Sequence, residues 1–155
     1  MGERARILVI DDDEGIRRTL AAILEEEGYL VETVESGKEA IARTNKSFYN
    51  VALIDIRLLD MEGTELLTKI KPTVPRMRKI IITGYPTVQN AIEAVNRNAD
   101  AYLLKPFDIG KVLFVIKDQL KKQEEENRFN QEKVTEFIET RVRELETKTV
   151  VNKSK

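Results

Sequence analysis

The 155-residue chain contains no cysteine and no histidine. Without cysteine there can be no disulfide, thiolate metal site or thiol catalysis, which fits a reducing compartment. Without histidine there can be no serine–histidine triad, imidazole general base or histidine-ligated zinc. The formal net charge is only −1, so no overall field draws the protein to nucleic acid or an anionic membrane. Any chemistry must therefore come from carboxylates, hydroxyls and amino groups.

Long apolar runs are also missing. No stretch is long enough to cross a bilayer, and the segment MGERAR leads into a short strand pattern rather than a signal peptide. The length suits one domain with a real core and a possible appendage. We therefore expect a cytoplasmic protein.

Short apolar runs alternate regularly with amphipathic stretches. The runs are rich in branched residues and predict buried strands, and the stretches between them have helical spacing. The predicted strands are RILVI, YLVETV, VALID, KIIITG and AYLLK. Five strand–helix units in succession predict an α/β fold with a doubly wound, five-stranded parallel sheet. A ligand site in such a fold lies beyond the carboxyl ends of the strands.

The composition changes after about Lys121, where glycine and proline disappear and charges of both signs mix. No turn signal separates this stretch from the fifth helix, so we predict one long helix from near Ile109 to near Thr147 with a frayed polar end. We divide the chain into an α/β domain, residues 1–121, and a helical, coiled-coil-like extension, residues 122–155.

The extension carries an apolar stripe at helical spacing. Its members are Val134, Phe137, Ile138, Val142 and Leu145. Heptads followed back from this stripe cross a polar stretch around Asn127 before apolar residues resume at Leu120, which is a broken coiled-coil pattern. An exposed stripe of this kind marks an interface, so we predict a homodimer through this helix with Asn127 setting the register.

Acidic residues gather at the predicted carboxyl ends of the strands. Asp11, Asp12 and Asp13 follow the first strand, and Asp55 ends the third. Clustered carboxylates repel one another unless a cation lies among them. Mg²⁺ prefers such hard oxygen ligands, so the sequence predicts a Mg²⁺ site at this edge of the sheet.

Two further groups complete this edge. Thr83 ends the fourth strand and is followed by Gly84, and Lys105 ends the fifth strand and is followed by Pro106. A cation, a hydroxyl and an ammonium group around one carboxylate neutralise and orient a phosphoryl group during in-line transfer. The pattern therefore predicts phosphoryl-transfer chemistry.

The segments VIDDDEGIR, LIDIRLLDMEG, IITGY and DAYLLKPF resemble, in this order, the motifs of response-regulator receiver domains in two-component signalling. The resemblance covers roughly residues 5–121 and implies the flavodoxin-like strand order 2-1-3-4-5. It also implies phosphorylation by a sensor histidine kinase and a signalling role rather than an enzyme's. Dimer contacts through the face formed by the fourth helix, fifth strand and fifth helix are expected. No nucleic-acid-binding fold follows in this sequence, so we expect output through protein contacts and no direct DNA binding.

The resemblance also implies roles for individual residues. Asp55 is the expected phosphoacceptor. The implied Mg²⁺ ligands are Asp11, Asp12, Asp55 and the backbone carbonyl of Arg57. The implied phosphate-binding and switch residues are Thr83, Gly84, Tyr102 and Lys105. The peptide bond before Pro106 is expected to be cis. Asp13 is either a third acid of the site or a cap of the first helix.

One position departs from the family pattern. Receiver domains commonly carry proline four residues after the phosphoacceptor and glycine four residues later. Here Leu59 stands in place of the proline, while Gly63 remains. The loop after the third strand is therefore expected to be less rigid.

Three other interpretations stay open. VIDDDEGI also matches the nucleophile motif of haloacid-dehalogenase-type phosphatases, with Asp11 as nucleophile and Asp13 as acid/base. Thr83 and Lys105 would serve as that family's second and third motifs, although a late acidic pair for Mg²⁺ is missing. The chain could instead be an interaction module held by its long helix, or the receiver of a longer regulator.

Overall fold

A computed structural model of the chain describes residues 4–153, and side chains through residue 148. Five parallel strands form one sheet in the order β2-β1-β3-β4-β5, which confirms the predicted fold class. The elements are β1 (Arg6–Ile10), α1 (Glu14–Glu26), β2 (Leu30–Val34), α2 (Gly37–Lys46), β3 (Val51–Asp55), α3 (Gly63–Lys69), β4 (Arg78–Thr83), α4 (Val88–Asn96), β5 (Ala101–Leu104) and α5 (Ile109–Lys153).

The central strand β3 is buried along its whole length because helices cover both faces of the sheet. Successive side chains alternate between two cores. Ala52 and Ile54 belong to the core that packs on α2, α3 and α4. Val51 and Leu53 belong to the core that packs on α1 and α5. This double covering fixes the sheet rigidly beneath the strand ends.

The long helix α5 runs without interruption from Ile109 to Lys153, as the absence of a turn signal predicted. It continues past Thr147, where we expected it to end, because no glycine or proline stops it. Residues 154 and 155 of the expected frayed end lie outside the described residues. No helix in the described part of the chain is both long and apolar enough to span a membrane.

Only the first part of α5 packs against the sheet. Val112, Ile116, Gln119 and Gln123 are buried, whereas Val134 is 57% and Phe137 65% exposed. The predicted apolar stripe therefore projects beyond the α/β domain.

Two peptide bonds before proline are cis. Lys105–Pro106 is the one expected from the sequence. Val74–Pro75, in the loop before β4, was not expected, because a single X-Pro pair gives little indication of its isomer.

Candidate functional site

The acidic residues of the first and third strands meet at the carboxyl edge of the sheet. β1 and β3 are neighbours with Ile10 opposite Ile54, which brings the residues after them side by side. Oxygens of Asp11, Asp12 and Asp55 all lie within 4.8 Å of one another. Asp11 is 2% and Asp55 7% exposed, while Asp12 is open to solvent.

One amino group reaches this cluster. The ammonium group of Lys105, at the end of β5, lies 2.8 Å from Oδ2 of Asp11 and 3.6 Å from Oδ1 of Asp55. Three carboxylates thus face one lysine, so the cluster keeps an excess of negative charge.

The electrostatics of Asp55 reflect this imbalance. Burial, and next the negative charge of Asp11, raise the pKa of the Asp55 carboxyl to about 6. The Lys105 ammonium and a hydrogen bond from the backbone N–H of Arg57 act in the opposite direction but do not cancel the shift. A buried, uncompensated set of hard oxygen donors fits a divalent cation such as Mg²⁺.

Arg57 stands at the rim of the site. Its guanidinium carbon lies 4.2 Å from the centre of the Tyr85 ring, a cation–π contact between two exposed side chains. Its backbone forms an isolated bridge with Glu62 across the loop that follows β3. That its carbonyl binds Mg²⁺ stays a prediction.

Thr83 is buried at the end of β4, beside Asp55 on the neighbouring strand. Its hydroxyl accepts a hydrogen bond from the N–H of Tyr85 at 2.9 Å, so it is held within its own loop. Gly84 adjoins Lys105, and an added Cβ would lie 3.7 Å from the Cβ of that lysine. A small side chain would therefore fit at this position.

Tyr102 lies on β5 and is partly buried. Its hydroxyl is shielded from water and has no hydrogen-bond partner among the described residues. Burial accordingly raises the pKa of Tyr102. The ring packs against the core on the side of α2, α3 and α4.

Asp13, the third acid of the run, does not point into the cluster. Its carboxylate caps α1 by accepting a hydrogen bond from the N–H of Ile16 at 3.1 Å. Its own N–H donates to Oδ1 of Asp11 at 2.9 Å. The capping alternative is thus the one that the geometry favours, with an indirect effect on the position of Asp11.

Two residues that sequence reasoning did not assign to the site support it. Arg17 on α1 donates from Nη1 to the backbone oxygen of Asp11 at 2.7 Å. Gly63 packs so tightly against β3 that an added Cβ would overlap the backbone oxygen of Asp55.

Comparisons with known proteins agree with this geometry. A family model described as the response regulator receiver domain matches residues 7–117. The transcriptional regulatory protein ZraR of Klebsiella oxytoca is 35% identical over 119 residues, which cover 77% of this chain and 27% of that protein. The chain thus spans about a quarter of the length of this curated relative.

Solved structures show the same relationship. A CheY-like response regulator receiver domain protein from Methanospirillum hungatei JF-1 has a TM-score of 0.77 and 44% identity, covering 80% of this chain and 99% of that one. The beryllofluoride-activated NtrC4 receiver domain dimer has a TM-score of 0.71 and 36% identity, covering 76% of this chain and 98% of that one.

Proposed function

The chain belongs to the response regulator receiver domain family, and from that membership we propose that it accepts a phosphoryl group on Asp55 from a sensor histidine kinase. The observation that carries the proposal is one buried carboxylate beside two further carboxylates and one ammonium group. The raised pKa of Asp55 is typical of functional sites, where charges are left unbalanced.

In the proposed transfer, a carboxylate oxygen of Asp55 bonds to phosphorus as the bond from phosphorus to the donor nitrogen breaks. The electron pair of that bond leaves with the histidine of the kinase. Asp55 must be ionised to attack, and the nearby Lys105 ammonium favours this form. The same ammonium is close enough to contact an oxygen of the incoming group.

Asp11, Asp12 and Asp55, with the Arg57 carbonyl, would hold Mg²⁺. When bound, Mg²⁺ supplies positive charge to the oxygens of the transferring phosphoryl group. Arg17 and the N–H of Asp13 hold Asp11 in position from the α1 side. These contacts hold Asp11 at the end of β1.

The proposed switch begins at Thr83. Its hydroxyl would exchange its contact with the Tyr85 N–H for a phosphoryl oxygen, to which it donates. The Tyr102 hydroxyl already lies out of water, so phosphorylation would change its surroundings rather than bring it in from solvent. Phosphorylation shifts the balance between two states only by as much as it favours one of them.

We further propose a homodimer formed through the extension of α5 and the face made by α4, β5 and α5, with a cytoplasmic location. Support comes from Val134, Phe137 and Ile138, each more than half exposed on one stripe. The solved NtrC4 receiver domain named above is a dimer in its activated form. Sedimentation of the intact chain against residues 1–128 tests this, because that cut keeps Glu126, which contacts the sheet edge. Two monomers at micromolar concentration, with and without beryllofluoride, would contradict it.

The phosphatase alternative receives less support. It requires Asp13 as acid/base, but the carboxylate of Asp13 caps α1. It also requires Asp11 as nucleophile, and the pairing of Asp11 with Lys105 at 2.8 Å is compatible with either alternative. Whether the chain acts as the receiver of a longer regulator stays open.

Intact-mass measurement after incubation with acetyl phosphate tests the main proposal. We expect one added phosphoryl group, dependent on Mg²⁺ and located on Asp55 by peptide mapping. Steady turnover of an added phosphomonoester with no adduct at Asp55 would instead favour the phosphatase.

A further inference from the structure

The loop of residues 56–62 leaves β3 directly after Asp55 and carries Arg57, the predicted carbonyl ligand of Mg²⁺. It folds back on itself, since the N–H of Leu58 donates to the Met61 oxygen at 3.2 Å and Arg57 pairs with Glu62. The position of this small loop therefore determines where the Arg57 carbonyl lies relative to Asp55.

One side chain anchors the loop to a neighbouring helix. Oδ1 of Asp60 accepts a hydrogen bond from the N–H of Gly37 at 2.9 Å, and Oδ2 accepts one from the N–H of Lys38 at 2.9 Å. Both N–H groups belong to the first turn of α2 and have no partner within that helix. These bonds, first that from Gly37, hold the pKa of Asp60 below its ordinary value. The carboxylate is therefore ionised, and best able to accept both bonds, at neutral pH.

The residue before Asp60 makes this anchor more important. Leu59 stands where the family pattern commonly has proline, whose ring would restrict the loop. Leu59 is 76% exposed, so it adds little packing of its own. The loop thus depends on hydrogen bonds where a proline would supply rigidity.

We propose that Asp60 is a positioning residue for the phosphoacceptor site, tying the loop that carries Arg57 to the amino terminus of α2. The inference rests on the proposed function, because it assumes that this loop contributes a ligand to Mg²⁺. Gly63 holds the Asp55 backbone separately, by close packing, so loss of the anchor loosens the Arg57 side of the site more than the acidic pair.

The test is Asp60→Ala in the full chain, with Mg²⁺ affinity measured by isothermal titration calorimetry. We expect the dissociation constant for Mg²⁺ to rise by about tenfold, as when groups that orient metal ligands are removed. The initial rate of labelling by acetyl phosphate should fall at limiting Mg²⁺ and recover at saturating Mg²⁺, since Asp55 itself is unchanged.

Two matched controls separate positioning from simpler effects. Glu62→Ala removes the same charge from the same loop, and the Glu62 side chain makes no capping hydrogen bond. Ser36→Ala weakens the same helix terminus, where the Ser36 hydroxyl accepts from the N–H of Glu39 at 3.2 Å, without touching the loop. Both variants should bind Mg²⁺ nearly as the unmodified chain does, although Ser36→Ala should melt at a lower temperature.

Recovery of the Mg²⁺ affinity by a second substitution is the decisive test. Within the described structure the N–H of Leu59 donates no hydrogen bond, so Leu59→Pro removes none. Added to Asp60→Ala, it should restore most of the lost affinity. The inference is wrong if Asp60→Ala leaves the Mg²⁺ affinity unchanged. It is also wrong if Ser36→Ala or Glu62→Ala lowers that affinity as much as Asp60→Ala does. If the variant with proline does not fold, these single variants decide the question. Absence of Mg²⁺ binding by the unmodified chain would instead reject the proposed function.

Discussion

At the carboxyl ends of the strands, three carboxylates face a single ammonium group. At the amino ends, two guanidinium groups face two carboxylates. These four residues are Arg76, Arg78, Asp100 and Glu126. The sheet therefore has one end with unbalanced charge and one end with balanced charge.

The balanced end is tightly bonded. Arg78, which is 7% exposed, lies 2.6 Å from Glu126 and 3.2 Å from Asp100. Arg76 contacts the same two carboxylates at 3.1 Å and 3.0 Å. Because Glu126 belongs to α5, this network fixes the direction in which the long helix leaves the sheet.

The pKa shifts at the two ends have opposite signs. Burial and Asp11 raise the pKa of Asp55, whereas a hydrogen bond from Arg76 lowers that of Glu126. A lowered carboxyl pKa means that the folded state favours the charge, and a raised one means that it disfavours it. The balanced end stabilises the fold, while the carboxylates at the unbalanced end lack compensating positive charge, which fits the proposed Mg²⁺ site.

The largest expected effect concerns the unbalanced end. Asp55→Asn should abolish labelling by acetyl phosphate, because the amide is not a nucleophile for phosphorus. Asp13→Asn is the matched control, since asparagine also caps helices and Asp13 points away from the cluster. Intact mass after incubation with Mg²⁺ measures both. Labelling lost in Asp13→Asn and kept in Asp55→Asn would reverse the assignment.

The two ends were not equally predictable from the sequence. The clustering of residues at the carboxyl end could be predicted because each of them ends or directly follows a strand, and the alternation of strands and helices places those positions together. The amino-end network could not, because Arg76 lies in the loop before β4 and its partners depend on where α5 passes. The only local signal was the polar series Gln119, Gln123 and Glu126, spaced along one face of the helix.

The hydrogen bonds of Asp60 to α2 could not be predicted from the sequence either. Its two bonds join the loop to the first turn of α2, 23 and 22 positions away along the chain, so no local pattern indicates them. The continuous helix, by contrast, followed directly from the lack of glycine and proline after Lys121.

The second effect tests the balanced end. Arg78→Met keeps much of the side-chain volume but leaves the carboxylates of Asp100 and Glu126 with Arg76 as their only cationic partner in the network. The free energy of unfolding should therefore fall by about 3 kcal/mol. Urea unfolding followed by circular dichroism measures the change. Arg128→Met is the control, since Arg128 pairs with Glu124 on an exposed surface and should cost at most about 0.5 kcal/mol. Equal losses of unfolding free energy in the two variants would show that the network contributes no more to stability than an exposed ion pair.

A third effect separates the two ends by pH, in the absence of Mg²⁺. The folded pKa of Asp55, about 6, exceeds its unfolded value, so the folded state retains a proton that the unfolded state has lost. Stability from this group is therefore present at low pH and falls as pH rises from about 4 to about 6. Asp55→Asn should remove this slope and raise the free energy of unfolding at pH 7 by about 2 kcal/mol.

Glu126 should behave in the opposite way. Its folded pKa is lowered, so its stabilising contribution is present above its unfolded pKa and is lost as pH falls through the folded value. Glu126→Gln should reduce the loss of unfolding free energy at acidic pH. Between about pH 4 and about pH 6 the pH dependence should still come from Asp55. Profiles that change identically in the two variants would contradict the opposite signs.

The smallest expected effect is the difference in cost between replacing two buried glutamines of α5 at the balanced end. Gln123 donates from Nε2 to backbone oxygens of Asn50 and Arg76 at 2.9 and 2.8 Å, and its Oε1 accepts from Asn50 at 3.0 Å. Gln119 donates one bond, to the Asp100 oxygen at 3.2 Å, and its Oε1 has no partner among the described residues.

Replacement of each glutamine by methionine keeps the side-chain length and removes the polar atoms. Gln123→Met leaves two backbone oxygens and one amide without their partner, so it should cost about 2 kcal/mol. Gln119→Met loses one bond but also removes a buried oxygen without a partner, so its cost should stay below about 1 kcal/mol. Urea unfolding of both variants measures the difference. Equal costs would mean that the Gln119 oxygen is satisfied in solution, and the amino end would then be balanced in its hydrogen bonds as well as its charges.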